Sequence, residues 1–528
     1  MTPEDLSLTL GSPNFTNKCY EYKILQESVM GQGLFSTTNL NEWRKNRRTI
    51  TPAFHFQILK SFISNFYEEA KILADILMLE MEKDGEVEVH RQMGLCTLDM
   101  ISRNAMGVSV NAQKDSSNPF VKGMETILEI WHERIAKPWL LSKFLFGLSS
   151  VKVRHDIAVR DVQQFATEVI LKKIEERYTE SKSSSNSDQS SGDITESGVS
   201  VPNNVDDDNV YCSTKKNSAF LDLLIESMYE GIDQKYMYEI IQKHKEQNSR
   251  RRSEAGGERF WSNIADLLTS WSTKARGKVP PTKANDVVDA NNNEDDNYQS
   301  NLHEKNVELE QINRQLRDEV VTIMIGGQET TACENSFTIL MLALHQNIQE
   351  KVVLELDEIF GDDRRSPTYE DLQKMKYLEC VIKETMRLFP ALPLMVREAQ
   401  QDTPLSESGV TVPKGCRAGF FIFAIHRDPV HFPEPDKFIP DRFLPENSRT
   451  RHPYSFIPFA AGARNCIGQK YAMLQMKVIA STFVRQFKIF PSDRMPNMDS
   501  IVLEMTTTLR SKTGVWVKLE RRNQMASC

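Results

Sequence analysis

At 528 residues, with 40% hydrophobic and 26% charged side chains, the chain could form one large single-core enzyme or two or three average domains. Its formal charge of −8 argues against general nucleic-acid binding, and it contains no run of eighteen apolar residues to cross a bilayer. Eight cysteines, at 19, 96, 212, 333, 380, 416, 466 and 528, form no C-x-x-C pair, which suits a reducing compartment and argues against a zinc site. In chain order, Thr2-Pro3-Glu4-Asp5 has the cap and first-turn acids of a helix start. Apolar residues then recur at helical spacing from Asn41 to about Met81, Val89 to about Met106, Asn118 to Trp131 and His155 to about Tyr178.

Residues 181–217 are rich in Ser, Asp and Asn, and 276–301 in Asn and Asp. Both lack the apolar content that offsets chain ordering, and both are expected to be disordered insertions. Between them, Phe220–Tyr238 and Phe260–Trp271 read as helices, and the basic run Lys243–Arg252 as a solvated loop. Leu302 to about Leu344 has the spacing of one long helix, and Pro367–Met386 holds two more. Beyond Phe389 prolines are frequent, with strand-like patches at Val410–Val412 and Ala418–Ala424. One further helix is followed by alternating patterns at Ile501–Thr507 and Gly514–Lys518. The expected fold class is mainly α with small β-sheets, in a single large domain over residues 1–528.

The most informative stretch is Phe459-Ala-Ala-Gly462-Ala-Arg464-Asn-Cys466-Ile-Gly468. A metal-binding thiolate must be kept anionic, and nearby positive charge or peptide N–H groups favour that form. The two glycines allow a tight turn and close approach to a flat ligand. Phe459 can cover the sulfur, and Arg464 can pair with a carboxylate of a bound cofactor. Helical periodicity resumes after Gly468, so Cys466 precedes a helix N-terminus, which also favours the thiolate. A haem iron held by one axial thiolate suits this arrangement.

Three other clusters carry chemistry. Gly326-Gly327-Gln328-Glu329-Thr330-Thr331 interrupts the long apolar helix with residues that weaken it. An acid beside an alcohol is a minimal proton relay for oxygen chemistry, with Glu329 as acid and Thr330 as alcohol. Glu384-Thr-Met-Arg387 places a carboxylate and a guanidinium on one helical turn. Trp43-Arg-Lys-Asn-Arg47 puts an indole and a guanidinium on one helix face, with Arg44, Lys45 and Arg48 turned outward.

The pattern Phe-x-x-Gly-x-Arg-x-Cys-x-Gly resembles the haem-binding signature of the cytochrome P450 family, and the Glu329-Thr330 and Glu-x-x-Arg segments resemble its other motifs. Thr51-Pro-Ala-Phe-His-Phe and Ile425-His-Arg-Asp-Pro look most like family 4, especially its insect members. The resemblance implies the cytochrome P450 fold and a non-covalent haem b with Cys466 as its iron ligand. It places Trp43, Arg47, Arg397, Phe459, Arg464 and Gly468 around the cofactor, and Arg442 beside Glu384 and Arg387. It implies monooxygenation of a small apolar substrate of the fatty acid, lipid hormone or xenobiotic class. Val321–Gly326, Ala391–Val396 and the segment around Leu503–Thr508 would touch that substrate. Electrons would come from an NADPH-dependent flavoprotein reductase, with cytochrome b5 as a further donor, at the cytoplasmic face of the endoplasmic reticulum membrane. An outward cationic face near the haem would dock an acidic donor.

Two departures stand out. Many family 4 members carry, at the position of Gly326, a glutamate that esterifies the haem; glycine cannot. The family's membrane anchor, hinge and first strands lie before the region matching Thr2, so the chain is expected to be N-terminally truncated. Two rival readings are a haem-thiolate isomerase or dehydratase, which needs no reductase, and a non-catalytic fragment.

Overall fold

The computed structural model describes residues 2–115, 118–187, 220–228 and 293–522. Residues 1–165, 206–224 and 318–528 form one unit, which holds every strand named below and the site. Residues 166–205 and 225–317 form a second, helical where it is described. The stretches 181–217 and 276–301 lie outside the described residues except at 181–187 and 293–301, which are helical extensions of their neighbours. Phe260–Trp271, Lys243–Arg252 and most of Phe220–Tyr238 also fall outside; Phe220–Met228 is helical.

Thr2 caps the helix Pro3–Leu10: its hydroxyl accepts the Asp5 N–H at 3.2 Å, and Pro3 takes a position whose N–H would have no helical partner. Leu6 and Leu10 then bury against Phe15, Met395, Phe420 and Ile457, a small core beside the cysteine loop. The stretch read as one helix from Asn41 is four pieces: Leu40–Ile50, a 3-10 turn at Thr51–Phe54, Phe56–Ser61 and Ile63–Asp84. Pro52, which lacks the N–H that would continue the first piece, supplies the break. Val89–Ile101 closes in a π-helical turn at Ser102–Met106, and Pro119–Ala136 and Ser150–Ser187 follow. Asn293–Leu344 is one helix that runs unbroken through Gly326-Gly327.

Among the described residues, nine short strands pair antiparallel. β1 (Val87–Glu88), β9 (Trp516–Arg521) and β6 (Phe487–Pro491) make one sheet in that order. β2 (Leu394–Glu398) pairs with β5 (Arg417–Phe421), β3 (Thr403–Pro404) with β4 (Thr411–Val412), and β7 (Leu503–Met505) with β8 (Leu509–Ser511). Along β2 the pleat buries Met395 and Arg397 on one face. The β7–β8 turn carries Thr507 and Thr508 inward, and the Leu509 N–H donates to the Ala391 carbonyl at 3.0 Å.

The Lys376–Leu388 helix carries the lock that holds the cysteine loop's support. Arg387 is fully buried and donates to Glu384 through Nε at 2.7 Å and Nη2 at 2.9 Å. Its remaining donors reach the carbonyls of His426, Pro435 and Lys437. Arg442 completes the network at 3.4 Å from Glu384. A buried charge pair is tolerable because nearly every donor is used. The ring of His426 then accepts the Ile457 N–H at 2.9 Å, two residues ahead of Phe459. Burial holds that imidazole neutral, with its pKa down at about 3, so Nε2 is free to accept.

Candidate functional site

A cavity of about 300 Å³ lies in the first unit, lined from one side by the loop before the Gln469–Gln486 helix and from another by Asn293–Leu344. Cys466 is the only cysteine lining it among the described residues. The residue lies deep in the protein, yet its sulfur is open to the cavity. Its backbone is fixed by two bonds: the Cys466 N–H donates to the Phe459 carbonyl at 2.9 Å and the Asn465 N–H to Gly462 at 3.1 Å. Burial pushes the thiol pKa up, and the Gly468 N–H and the Arg47 charge oppose that. Metal binding would remove the proton outright. A Cβ on Gly468 would sit 3.8 Å from the sulfur, an ordinary contact, so this glycine leaves the loop thin beside the sulfur without being forced by a clash. Gly462 has a different role. At φ +72° its Cβ would fall 1.8 Å from the Leu10 carbonyl oxygen, so it allows the loop to touch the first helix rather than a ligand.

Positive charge collects on one part of the cavity wall, where no carboxylate pairs with it among the described residues. Arg47, Arg397, Arg464 and Lys18 all line the cavity, and none forms an ion pair among the described residues. Each instead donates to backbone: Arg47 to Asn465 at 2.8 Å, Arg397 to Val396 at 2.9 Å, Arg464 to Thr37 at 3.4 Å and Lys18 to Phe35. Arg464 stacks on the Trp43 ring at 4.4 Å, and its Nε has no partner. Burial depresses the pKa of both Lys18 and Arg464, and Arg397 repels each of them further. Such a cluster is costly unless an anion enters it.

The opposing wall is a stripe of the long helix: Ile323, Gly326, Gly327, Thr330 and Glu334. Gly326 is open to the cavity and has nothing within 4 Å of its Cβ position, whereas a Cβ on Gly327 would meet Ile101 Cδ1 at 2.7 Å. Thr330 Oγ1 donates back to the Gly326 carbonyl at 2.7 Å. Glu329 turns toward the β7–β8 turn, where its carboxylate accepts from Thr508 Oγ1 at 2.9 Å and Arg510 Nε at 2.8 Å. The acid and alcohol are thus neighbours on the cavity wall without a direct bond between them.

Of the segments expected to touch substrate, Thr322, Ile323, Ile325 and Gly326 line the cavity, as do Ala391, Leu392, Leu394 and Met395. Only Thr507 and Thr508 do so from the late segment. Lys18, Arg510 and the Tyr22–Phe35 stretch carried no warning in the sequence. A lone lysine between Asn17 and Cys19 has no motif, and its burial follows from Tyr22 and Phe35, whose rings lie 4.2 and 3.8 Å from Nζ.

A sulfur facing a slot that is thin on one side and edged by unbalanced cations fits a flat dicarboxylate macrocycle bound through its metal, and this defines a haem-thiolate protein. The chain belongs to the cytochrome P450 family: the family model "Cytochrome P450" matches residues 7–248 and 234–513. It is 33% identical to cytochrome P450 4c3 of Drosophila melanogaster over 99% of this chain and 79% of that protein. Cytochrome P450 4V2 of Homo sapiens is 31% identical over 98% and 79%, and cytochrome P450 4g15 of Drosophila melanogaster 30% identical over 98% and 83%. The protein is a haem-thiolate monooxygenase, an oxidoreductase that incorporates molecular oxygen, and its cofactor is haem b bound through a cysteine thiolate.

Proposed function

We propose that Cys466 supplies the axial thiolate and that the enzyme hydroxylates an apolar substrate of the fatty acid, lipid hormone or xenobiotic class with electrons from an NADPH-dependent flavoprotein reductase. The observation that carries this is the exposure of the Cys466 sulfur to the same cavity that the Gly326–Thr330 stripe lines. Arg47, Arg397, Arg464 and the Trp43 indole would hold the two propionates, with Lys18 as a fifth donor. When bound, haem supplies oxygen activation, which a thiolate ligand promotes. Phe459 shields the sulfur from water. Thr330 and Glu329 hold and pass protons on the substrate side. Ile323, Leu392 and Met395 offer an apolar surface to the substrate, which fits a hydrocarbon chain.

Cytochrome b5 fits as a second electron donor. A membrane surface, the cytoplasmic face of the endoplasmic reticulum, is the proposed setting. Trp139, Phe144, Leu148 and Val153 support it: they leave 59%, 74%, 73% and 62% of their surface exposed along 139–153, an apolar face suited to lipid. No helix among the described residues is long and apolar enough to cross a membrane.

The test combines a spectrum with turnover. Reduced protein under carbon monoxide should show the red-shifted thiolate band, and Cys466→Ser should abolish it; persistence of the band in that variant would remove Cys466 as the ligand. Dodecanoic acid should be hydroxylated only when NADPH and reductase are both present. Reductase-independent conversion of a peroxide substrate, with no hydroxylation, would favour the isomerase reading instead.

A further inference from the structure

Behind Glu329, away from the cavity, the structure places a second group of proton-carrying side chains. A ring nitrogen of His90, an oxygen of Glu329 and the sulfur of Cys333 lie within 4.8 Å of one another. These are zinc-binding donor types, but Arg510 already neutralises Glu329 at 2.7 Å, and burial opposes ionisation of the Cys333 thiol. The arrangement suits protons better than a metal ion. His90 lies in the first turn of the Val89–Ile101 helix and keeps part of its surface exposed, with Nδ1 3.4 Å from Ser336 Oγ. Glu329 is buried beneath it, and Thr508, bonded to Glu329, borders the cavity.

We propose that His90 is the point at which solvent protons enter the network that runs through Glu329 to Thr508 and the cavity. The inference rests on the reading of Glu329 as the acid of the proton relay. A solvent proton binds one ring nitrogen, and the imidazolium passes one proton to the Glu329 carboxylate. The Thr508 hydroxyl, which donates to Glu329 at rest, first turns its proton toward the cavity; Glu329 then gives its proton to the Thr508 oxygen as that hydroxyl proton leaves. Each step moves one proton and no electrons; Glu329 and Thr508 return to their starting states, and a turn of the ring or proton exchange with solvent restores the His90 tautomer.

The charges around His90 suit this cycle. Burial favours the neutral ring, Glu329 and Glu88 favour the charged one, and Arg510 on β8 opposes it. Arg91 follows on the same helix, Ser336 and Cys333 face it from the long helix, and Glu125 on Pro119–Ala136 bears on Glu329 and Arg510. The imidazole is therefore neutral at rest and charges only transiently.

The test uses the haem-loaded enzyme with reductase, NADPH and dodecanoic acid, and reads peroxide released per oxygen consumed and the solvent deuterium isotope effect on turnover. His90→Asn should keep its haem, leak several-fold more peroxide and show a larger isotope effect. Combining it with Glu329→Gln should add nothing to Glu329→Gln alone, because the two act in series. If Glu329→Gln leaks peroxide and His90→Asn behaves as the parent, protons enter elsewhere and the proposal is overturned. If neither variant leaks, the relay role of Glu329 falls with it. His90→Gln carries the same measurement should the asparagine variant lose haem.

Discussion

Glu329 and Arg510, 181 residues apart in sequence, meet through two guanidinium nitrogens on one carboxylate oxygen, at 2.8 and 2.7 Å. The pair fixes the β7–β8 turn against the long helix and thereby sets where Thr507 and Thr508 enter the cavity. Burial alone would push the Glu329 pKa up; Arg510 first, and with it the Thr508 hydroxyl, outweighs it and brings the value below the usual glutamate range. Glu329 is therefore a carboxylate at rest, the starting form that the proposed relay requires.

With Glu329 engaged there, Thr330 is an alcohol of the long helix that lines the cavity one residue further on. Its hydroxyl bonds only to the Gly326 carbonyl, so it can turn inward at the cost of one helix back-bond, about 1 kcal/mol. Thr330→Ala should leave haem content intact and divert reduced oxygen to hydrogen peroxide. The measurement is product formed per NADPH, expected to fall several-fold. A ratio equal to the parent's would take Thr330 out of proton delivery.

Gly326 offers no carboxylate to esterify haem, so acid and organic solvent should extract all haem from the polypeptide. The space around its Cβ position is open to 4 Å, so a side chain can start there without a clash at its first atom. Gly326→Glu should therefore fold and retain part of its haem through denaturing electrophoresis. Haem co-migrating with the unmodified chain would mean that another carboxylate has reacted.

Lys18 should act in opposite directions on the two forms of the protein. Without haem its buried ammonium faces Arg397 and Arg464 and is a liability. With haem it gains an anionic partner, a bond of about 1.5–3 kcal/mol. Lys18→Met should raise the thermal midpoint of the haem-free protein by a few degrees and speed haem transfer to apomyoglobin roughly ten- to a hundredfold. Unchanged haem transfer would show that Lys18 does not reach the cofactor.

Glu319 gives stability a pH dependence. Its carboxyl accepts from Leu34 N–H at 3.0 Å and Asn46 Nδ2 at 2.7 Å, and burial raises its pKa to about 8 from an ordinary 4.5. Between these two values the folded chain binds more protons than the unfolded one, so this group's contribution falls as pH rises through that window. The slope is about 1.4 kcal/mol per pH unit. Glu319→Gln keeps an acceptor and removes the titration. Chemical unfolding at pH 5 and pH 8 should show a smaller difference in the variant, with a gain at the higher pH; parallel curves would contradict it.

The sequence was most legible where short spacing and chemistry coincide. Glu384 and Arg387 are one turn apart, and Cys466 sits in a fixed loop, so local geometry alone brings the right atoms near each other. The helix periods were legible too, except where Pro52 divides a run that looks continuous. The less legible contacts join distant segments through the fold. Nothing near Arg510 in the chain points to Glu329, and Lys18 becomes a cavity residue only because Tyr22 and Phe35 fold over it. The two glycines of the long helix illustrate a subtler limit. Both read alike as residues that weaken the helix, yet Gly326 faces open space, while Gly327 makes room for Ile101.

The contact between Gly462 and the end of the first helix has a consequence for mutational tolerance. The atom that excludes a side chain at position 462 is the carbonyl oxygen of residue 10, which every amino acid carries. No change of side chain at Leu10 can create the missing space. A defect at Gly462 should therefore have no suppressor at its contact partner: a selection for regained function would return glycine itself, or nothing at either position.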